Sequence, residues 1–309
     1  MISFLAAHYR AALQSAMMRA VMQARHPSLG FALGGGAALG WSHVGVLRVT
    51  EALGLRPDFV VGTSMGAIVG AAYCAGLLDD VEEVARSFGL FDVLGQMWDL
   101  GLAKAGWLSG RKATGLLKRY FGDRRMSELE IPFHALAADL VTGEPVLLSD
   151  GCVVDAIRAS MSLPMVYEPV LIGSRVLVDG GMKAPVPMQA ARDLGASHLL
   201  AVHVSGDHPG RVAAARLNLD RLRDNRGSTI ATLAFAMMSD SLVEAQRNLA
   251  RPDVYLEPEV GAHPMHAFHK AEALIAIGER HALAHRNAIE QLRDNVIAAR
   301  AAARERQTA

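Results

Sequence analysis

Residues 59–78, FVVGTSMGAIVGAAYCAGLL, carry no charge over 20 positions, about the length a helix needs to cross a bilayer. This stretch constrains the fold more than any other, because its internal pattern argues against that use. Phe59, Val60 and Val61 form a short β-branched and aromatic run, residues 62–66 are punctuated by glycine, and Ala67 to Ala75 read as a small-residue helix stopped by Gly76. The pattern predicts a buried strand, a sharp turn and a buried helix. A second uncharged run, His26 to Leu47, holds six glycines and Pro27, which also tells against a spanning helix.

The rest of the chain alternates strand-like and helix-like segments. Strands are expected at Leu29–Leu33, Phe59–Val61, Phe133–Ala137, Val146–Leu148, Val170–Val178 (a hairpin around Gly173 and Ser174), His198–Val204 and Val254–Leu256. Helices are expected at Ser42–Leu53, Met65–Ala75, Val81–Phe88, Ala113–Phe121, Val153–Ala159, Met188–Leu194, Thr229–Leu249 and Phe268 to about Arg300. This order is the signature of an α/β fold, a mostly parallel central sheet covered by helices on both faces in three layers. No repeat or Ser/Gly/Pro-rich linker divides it. The expected organisation is an N-terminal amphipathic helical extension over 1–28, a core over 29–205, and a polar loop with a C-terminal helical region over 206–309.

Within the extension, Ile2, Ala6, Tyr9, Leu13, Met17, Ala20 and Ala24 recur at helical spacing, with Arg10, Arg19 and Arg25 off the stripe. Such a helix can lie on a membrane surface, pack on the body of the protein, or pack on a second copy in a homodimer. The polar segment Asp207–Arg226, with Arg211, Arg216, Arg221, Arg223 and Arg226, interrupts the strand–helix rhythm and reads as a solvated loop or a lid.

Charge narrows the function classes. The 309 residues hold 31 basic and 31 acidic side chains, without the basic excess of a nucleic-acid binder. The opening MISFLAAHYR lacks the basic start of a secretory signal. The two cysteines, Cys74 and Cys152, show no CxxC spacing, so neither a disulfide scaffold nor a structural zinc site is expected, and a reducing, cytoplasmic location fits.

Three motifs carry chemistry. Gly62-Thr63-Ser64-Met65-Gly66 is a G-x-S-x-G between the expected strand and helix, the setting of a nucleophile elbow. Gly34-Gly35-Gly36-Ala37-Ala38-Leu39-Gly40 follows the first strand and opens a helix. Leu39 breaks the dinucleotide-binding pattern and no G-K-[ST] follows, so the loop reads as a source of backbone N–H groups for an oxyanion. Asp179-Gly180-Gly181 ends the hairpin, where the glycines let a tight bend aim the carboxylate.

In this order the motifs resemble the patatin-like phospholipase family, particularly its small bacterial members. LGGGAALGWSHVGVLRVTEALGLRPDFVVGTSMGAIVGAAYCAG is similar to the family's glycine-rich loop, following helix and elbow; AADLVTGEPVLL and AIRASMSLPMVYEPVLIGSRVLVDGGMKAPVP are similar to its central strand and base-bearing segment. The resemblance implies a Ser/Asp dyad with Ser64 as nucleophile and Asp179 as general base, with no histidine relay. It implies oxyanion donors at Gly35, Gly36 and Ala37, with Met65 a further donor. It also implies a cofactor-free, metal-free serine lipid acyl hydrolase working through an acyl-enzyme on a phospholipid, lysophospholipid or glyceride, met at the cytoplasmic side of a membrane as a peripheral protein. The chain departs from the family at Leu39, where a basic residue is usual, and at Ala37, Ala138 and Ala184. Alternatives stay open: an acyltransferase of the same fold, a non-catalytic lipid-binding protein, or an α/β-hydrolase with a Ser-His-Asp triad drawing on His263, His266 or His269. Those three histidines, with Pro264 among them and no carboxylate nearby, read as exposed or capping groups before a metal site.

Overall fold

The computed structural model describes residues 27–87, 110–217 and 227–308. The amphipathic stripe Ile2–Ala24 and the part of the Asp207–Arg226 segment from 218 onward lie outside the described residues.

Among the described residues, eight strands form one sheet: β1 (Leu29–Leu33), β2 (Phe59–Thr63), β3 (Phe133–Asp139), β4 (Pro145–Leu148), β5 (Val170–Ile172), β6 (Arg175–Asp179), β7 (His198–Val202) and β8 (Val254–Leu256). β1 lies between β2 and β7, β8 extends the sheet beyond β7, and β3 beyond β2, all parallel. β4 and β6 pair antiparallel with β3, and β5 and β6 form the expected hairpin. The mostly parallel α/β expectation holds.

Side-chain alternation splits the strands between two cores. Leu29, Phe31, Leu33, Val60, Leu200 and Val202 face one side with α1 (Ser42–Ala52), α2 (Met65–Cys74), α3 (Leu78–Ser87), α4 (Arg111–Phe121) and α5 (Val153–Ser160). Ala32, Phe59, Val61, Leu199 and Ala201 face the other with α6 (Met188–Asp193) and the far end of α8 (Gly227–Ala250). Period-two alternation of buried residues on both faces is what a doubly covered sheet requires.

Two expectations are corrected. The segment from Asp207 is not a loop where it is described: it forms α7 (His208–Ala215). Asp207 caps this helix by accepting from the Gly210 N–H at 3.0 Å, and Pro209 sits in the first turn, both strong start signals. Arg211 is buried and paired with Asp240 at 2.6 Å instead of being solvated. The single helix expected from Phe268 is two, α9 (Ala271–Ala284) and α10 (Arg286–Thr308), meeting at His285. Ala271, Leu274, Ile275, Gly278 and Ala282 continue in phase into Ile289, Leu292 and Val296. With no glycine or proline at the junction, the hydrophobic period runs through the break unmarked.

α9 crosses α1 with almost no space between backbones. A Cβ at Gly45 would lie 2.1 Å from the Ile275 carbonyl oxygen, and one at Gly278 would lie 2.0 Å from that of Ser42. The helix that follows the glycine-rich loop is thereby seated on the C-terminal region. Among the described residues no helix is long and apolar enough to cross a membrane.

Candidate active site

The register of β3 brings the distant motifs together. Leu136 pairs with Thr63 of β2 and with Leu147 of β4, which therefore lie on opposite edges of β3. Ala137 pairs with Val146 of β4 and with Asp179 of β6. β6 must then occupy the same edge as β2, with its C-terminal end meeting the end of β2. Thr63 and Asp179 sit on consecutive rungs, so Ser64 leaves the sheet beside the carboxylate that arrives.

The Ser64 hydroxyl lies near enough to the Asp179 carboxylate to favour its ionised form. Asp179 is 4% exposed, and its Oδ1 accepts from the Gly181 N–H at 2.7 Å. Burial pushes its pKa up from the usual carboxylate range to about 6, against the opposing pull of the Gly181 N–H and the Ser64 hydroxyl. A carboxyl poised there ionises at neutral pH yet accepts a proton far more readily than a solvated aspartate.

The elbow holds Ser64 at φ 54°, ψ −118°, a conformation sparsely populated by non-glycine residues and costing on the order of 1–3 kcal/mol. The flanking glycines are there for space. A Cβ at Gly62 would stand 2.4 Å from the Gly66 carbonyl oxygen, and one at Gly66 would stand 2.2 Å from that of Leu33. The first turn of α2 is thus pressed against the end of β1; the Ala67 and Ile68 N–H groups donate to the Ser64 carbonyl, and the Met65 N–H has no partner among the described residues.

The glycine-rich loop can be accounted for peptide by peptide. The Gly34 N–H donates to the Val202 carbonyl and the Gly35 N–H to the Pro185 carbonyl, each at 2.9 Å. The Gly34 carbonyl accepts from His43 Nε2 at 2.8 Å, and the Gly35 carbonyl from the Ser205 hydroxyl at 3.4 Å. The Gly36 carbonyl accepts from the Leu39 N–H at 3.1 Å. The Gly36 and Ala37 N–H groups have no partner among the described residues. Because C=O and N–H point oppositely across a trans peptide, tying back the Gly35 and Gly36 carbonyls turns these two donors the other way. Gly35, expected as a donor, has its N–H already engaged.

Ala37 has φ 48°, a left-handed backbone conformation that glycine adopts without steric cost. Gly36 lies flat on the chain leaving β7, where a Cβ would meet a Val204 methyl at 2.7 Å. Gly180 crosses β3 in the same way, its Cβ position 2.2 Å from the Leu136 carbonyl oxygen, while a Cβ at Gly40 would overlap the Met65 side chain. Leu39 is fully buried in the core, so the position has become a packing one. Ala138 is buried within β3, and the Ala184 carbonyl accepts from the Thr63 hydroxyl at 3.1 Å.

Two buried histidines support the loop from below. His43 is held neutral by burial, its pKa lowered to about 4. His203 is lowered to about 3 by burial and by nearby Arg211 and Arg247; it touches the Tyr255 hydroxyl at 2.8 Å and the Ser205 hydroxyl at 3.2 Å. Sequence reading singled out neither. Of the histidines it did name, His266 is exposed, His263 and His269 are half-buried, and none hydrogen-bonds Ser64 or Asp179 among the described residues. No group of three or more His, Cys, Asp or Glu among the described residues is placed to hold a metal.

Comparison with known proteins reaches the same segment. A mycobacterial protein, an uncharacterised NTE family protein of Mycobacterium tuberculosis, is 33% identical over 193 residues, 62% of this chain and 53% of its own length. The neuropathy target esterase sws of Drosophila melanogaster is 32% identical over 183 residues, covering 57% of this chain and 13% of that protein. Lysophospholipase nte1 of Aspergillus fumigatus is 30% identical over 181 residues, 57% of this chain and 12% of that one. The chain thus spans about half the length of the mycobacterial relative and a small part of the two larger proteins. The family profile described as patatin-like phospholipase matches residues 31–192, the stretch that contains the glycine-rich loop, the elbow and Asp179. By that match the chain belongs to the patatin-like phospholipase family.

Proposed function

We propose that this protein is a serine lipid acyl hydrolase in which Ser64 and Asp179 form the catalytic dyad. The observation that carries the reading is the register of β3, which sets Ser64 beside Asp179, a buried carboxylate whose pKa is raised to about 6. As Ser64 Oγ attacks the ester carbonyl, its proton passes to Asp179, and the oxygen that becomes negative is met by the N–H groups of Gly36, Ala37 and Met65. Collapse of this intermediate breaks the C–O bond, and the leaving alkoxide takes the proton from Asp179. Water then attacks the acyl-Ser64 ester, gives its proton to Asp179, and releases a carboxylic acid while Ser64 recovers its hydrogen.

The substrate class follows from the family and from the names of the relatives: an acyl ester of a phospholipid or lysophospholipid, met at a membrane surface. The product test is direct. Vesicles of mixed phospholipids and lysophospholipids are incubated with wild-type protein and with Ser64→Ala, and the released lipids are profiled. Free fatty acid from wild type alone supports the reading; its absence from both, or its equal release by both, overturns it. Adding alcohol or coenzyme A to the same reaction separates hydrolysis from acyl transfer, since an acyltransferase diverts the acyl group to the added acceptor.

A further inference from the structure

The parallel ladder between β2 and β3 is interrupted at the nucleophile. Val60 donates its N–H to the Pro132 carbonyl at 2.9 Å. Every second residue of a strand points its N–H to the same neighbour, so the same ladder assigns Gly62 to His134 and Ser64 to Leu136. The last bond is not made directly. The Ser64 N–H donates instead to Ser160 Oγ at 2.9 Å, and the Ser160 hydroxyl donates to the Leu136 carbonyl at 2.6 Å. One hydroxyl stands in the ladder as an inserted rung, its single proton and one lone pair both used.

Ser160 has no exposed surface and ends α5. Two residues on, the Ser162 carbonyl accepts from the Asp179 N–H at 2.9 Å. The Ser162 side chain is anchored in turn, donating to the Arg158 carbonyl at 2.7 Å and accepting from the Arg158 guanidinium at 2.6 Å. The end of α5 therefore grips both members of the dyad, the nucleophile's backbone through Ser160 and the carboxylate's backbone through Ser162.

We infer that Ser160 is a positioning residue for the reaction: by standing between β2 and β3 it sets Ser64 at the distance from Asp179 that proton transfer needs. This role rests on the dyad reading above. Without the inserted hydroxyl the Ser64 N–H closes onto the Leu136 carbonyl and draws the elbow toward β3. A shift of ~1 Å at a reacting group can cost on the order of 10²-fold in rate.

The experiment compares wild type, Ser160→Ala and Ser160→Thr for ester hydrolysis, with thermal midpoints measured beside the kinetics and fluorophosphonate labelling at Ser64 as a control. Ser160→Ala is expected to lower kcat on the order of 10²-fold with KM within about twofold. Ser160→Thr, which restores the hydroxyl, is expected to recover most of the loss. If Ser160→Ala does not fold, Ser160→Cys is read in its place with the same outcomes, since a thiol is a poor donor and acceptor. Wild-type kcat in the folded variant, a loss confined to KM, or a threonine variant as impaired as the alanine one overturns the role. A wild type that the probe fails to label at Ser64 overturns the dyad reading itself, whereas a labelled wild type with an indifferent Ser160→Ala overturns the positioning role alone.

Discussion

The nucleophile side of the site is built within residues 29–184. Ser64 is held by Ser160 at 2.9 Å, Asp179 by Ser162 at 2.9 Å, and Gly62 and Gly66 let α2 press against β1. The oxyanion side leans on the C-terminal region. Gly34 is bonded to Val202, Gly35 to Ser205, and the Ala38 N–H donates to the Met265 carbonyl at 2.9 Å, while α1 rests on α9. The family match ends at residue 192, short of all of these supports. The candidate reacting pair is thus carried by the matched segment, while the glycine-rich loop is braced by the chain that packs behind it.

The largest expected effect falls on the nucleophile side alone. Ser64→Ala lowers ester hydrolysis by on the order of 10⁴-fold or more and leaves the fold and the oxyanion loop intact, which far-UV circular dichroism and lipid-product assays check together. Wild-type kcat/KM rises with pH through about 6 as Asp179 takes the ionised form, and this acid limb is read from initial rates between pH 4.5 and 8.

Acid then separates the two sides by stability. His43 and His203, both beneath the oxyanion loop, are depressed by burial to about 4 and about 3. Between their ordinary value near ~6.5 and these lower ones, the unfolded chain binds protons that the folded chain refuses, so stability falls as pH drops through that window. Asp179 acts in the opposite sense. Its ionised form is penalised above about 6, and the penalty is relieved as pH falls toward the ordinary carboxylate value near ~3.9. Two histidines against one aspartate predict a lower thermal midpoint at pH 5 than at pH 7.5; mutating His43 to Gln flattens that slope, whereas mutating Asp179 to Asn, which removes the opposing contribution, steepens it.

Gly45→Ala tests the brace between α1 and α9. Alanine gains up to ~1 kcal/mol of helix propensity over glycine, but its Cβ would stand 2.1 Å from the Ile275 carbonyl oxygen. Overpacking against rigid backbone wins, and urea unfolding is expected to show a net loss of about 1–3 kcal/mol. The smallest effect is expected from Ser205→Ala, which frees the Gly35 carbonyl. One neutral hydrogen bond is at stake, so kcat falls by roughly twofold to tenfold with little change in KM.

What could be read from the chain follows the same division. The elbow was legible because Gly62 answers to a backbone approach only four residues on, at Gly66, and because strand, glycine-flanked serine and small-residue helix stand side by side in the local sequence. The oxyanion loop was legible as a loop, but which of its N–H groups are free depends on the Pro185 carbonyl, about 150 residues away, and no local pattern encodes that. Ser160 escaped notice because a serine at the end of a helix looks like any polar residue until β2 and β3 are seen to part around it. The break at His285 escaped because both helices keep the same buried face. The start of α7 was written in Asp207, Pro209 and Gly210; the arginines that follow obscured it, and one of them, Arg211, is turned inward onto Asp240.

The central claim is that a carboxylate alone, without histidine, activates Ser64. The most direct measurement is kcat/KM for ester hydrolysis by Asp179→Asn beside a variant in which His263, His266 and His269 are all alanine. The account predicts that Asp179→Asn loses on the order of 10⁴-fold while the triple histidine variant stays within about twofold of wild type. Retained activity in Asp179→Asn with collapse of the histidine variant would contradict it.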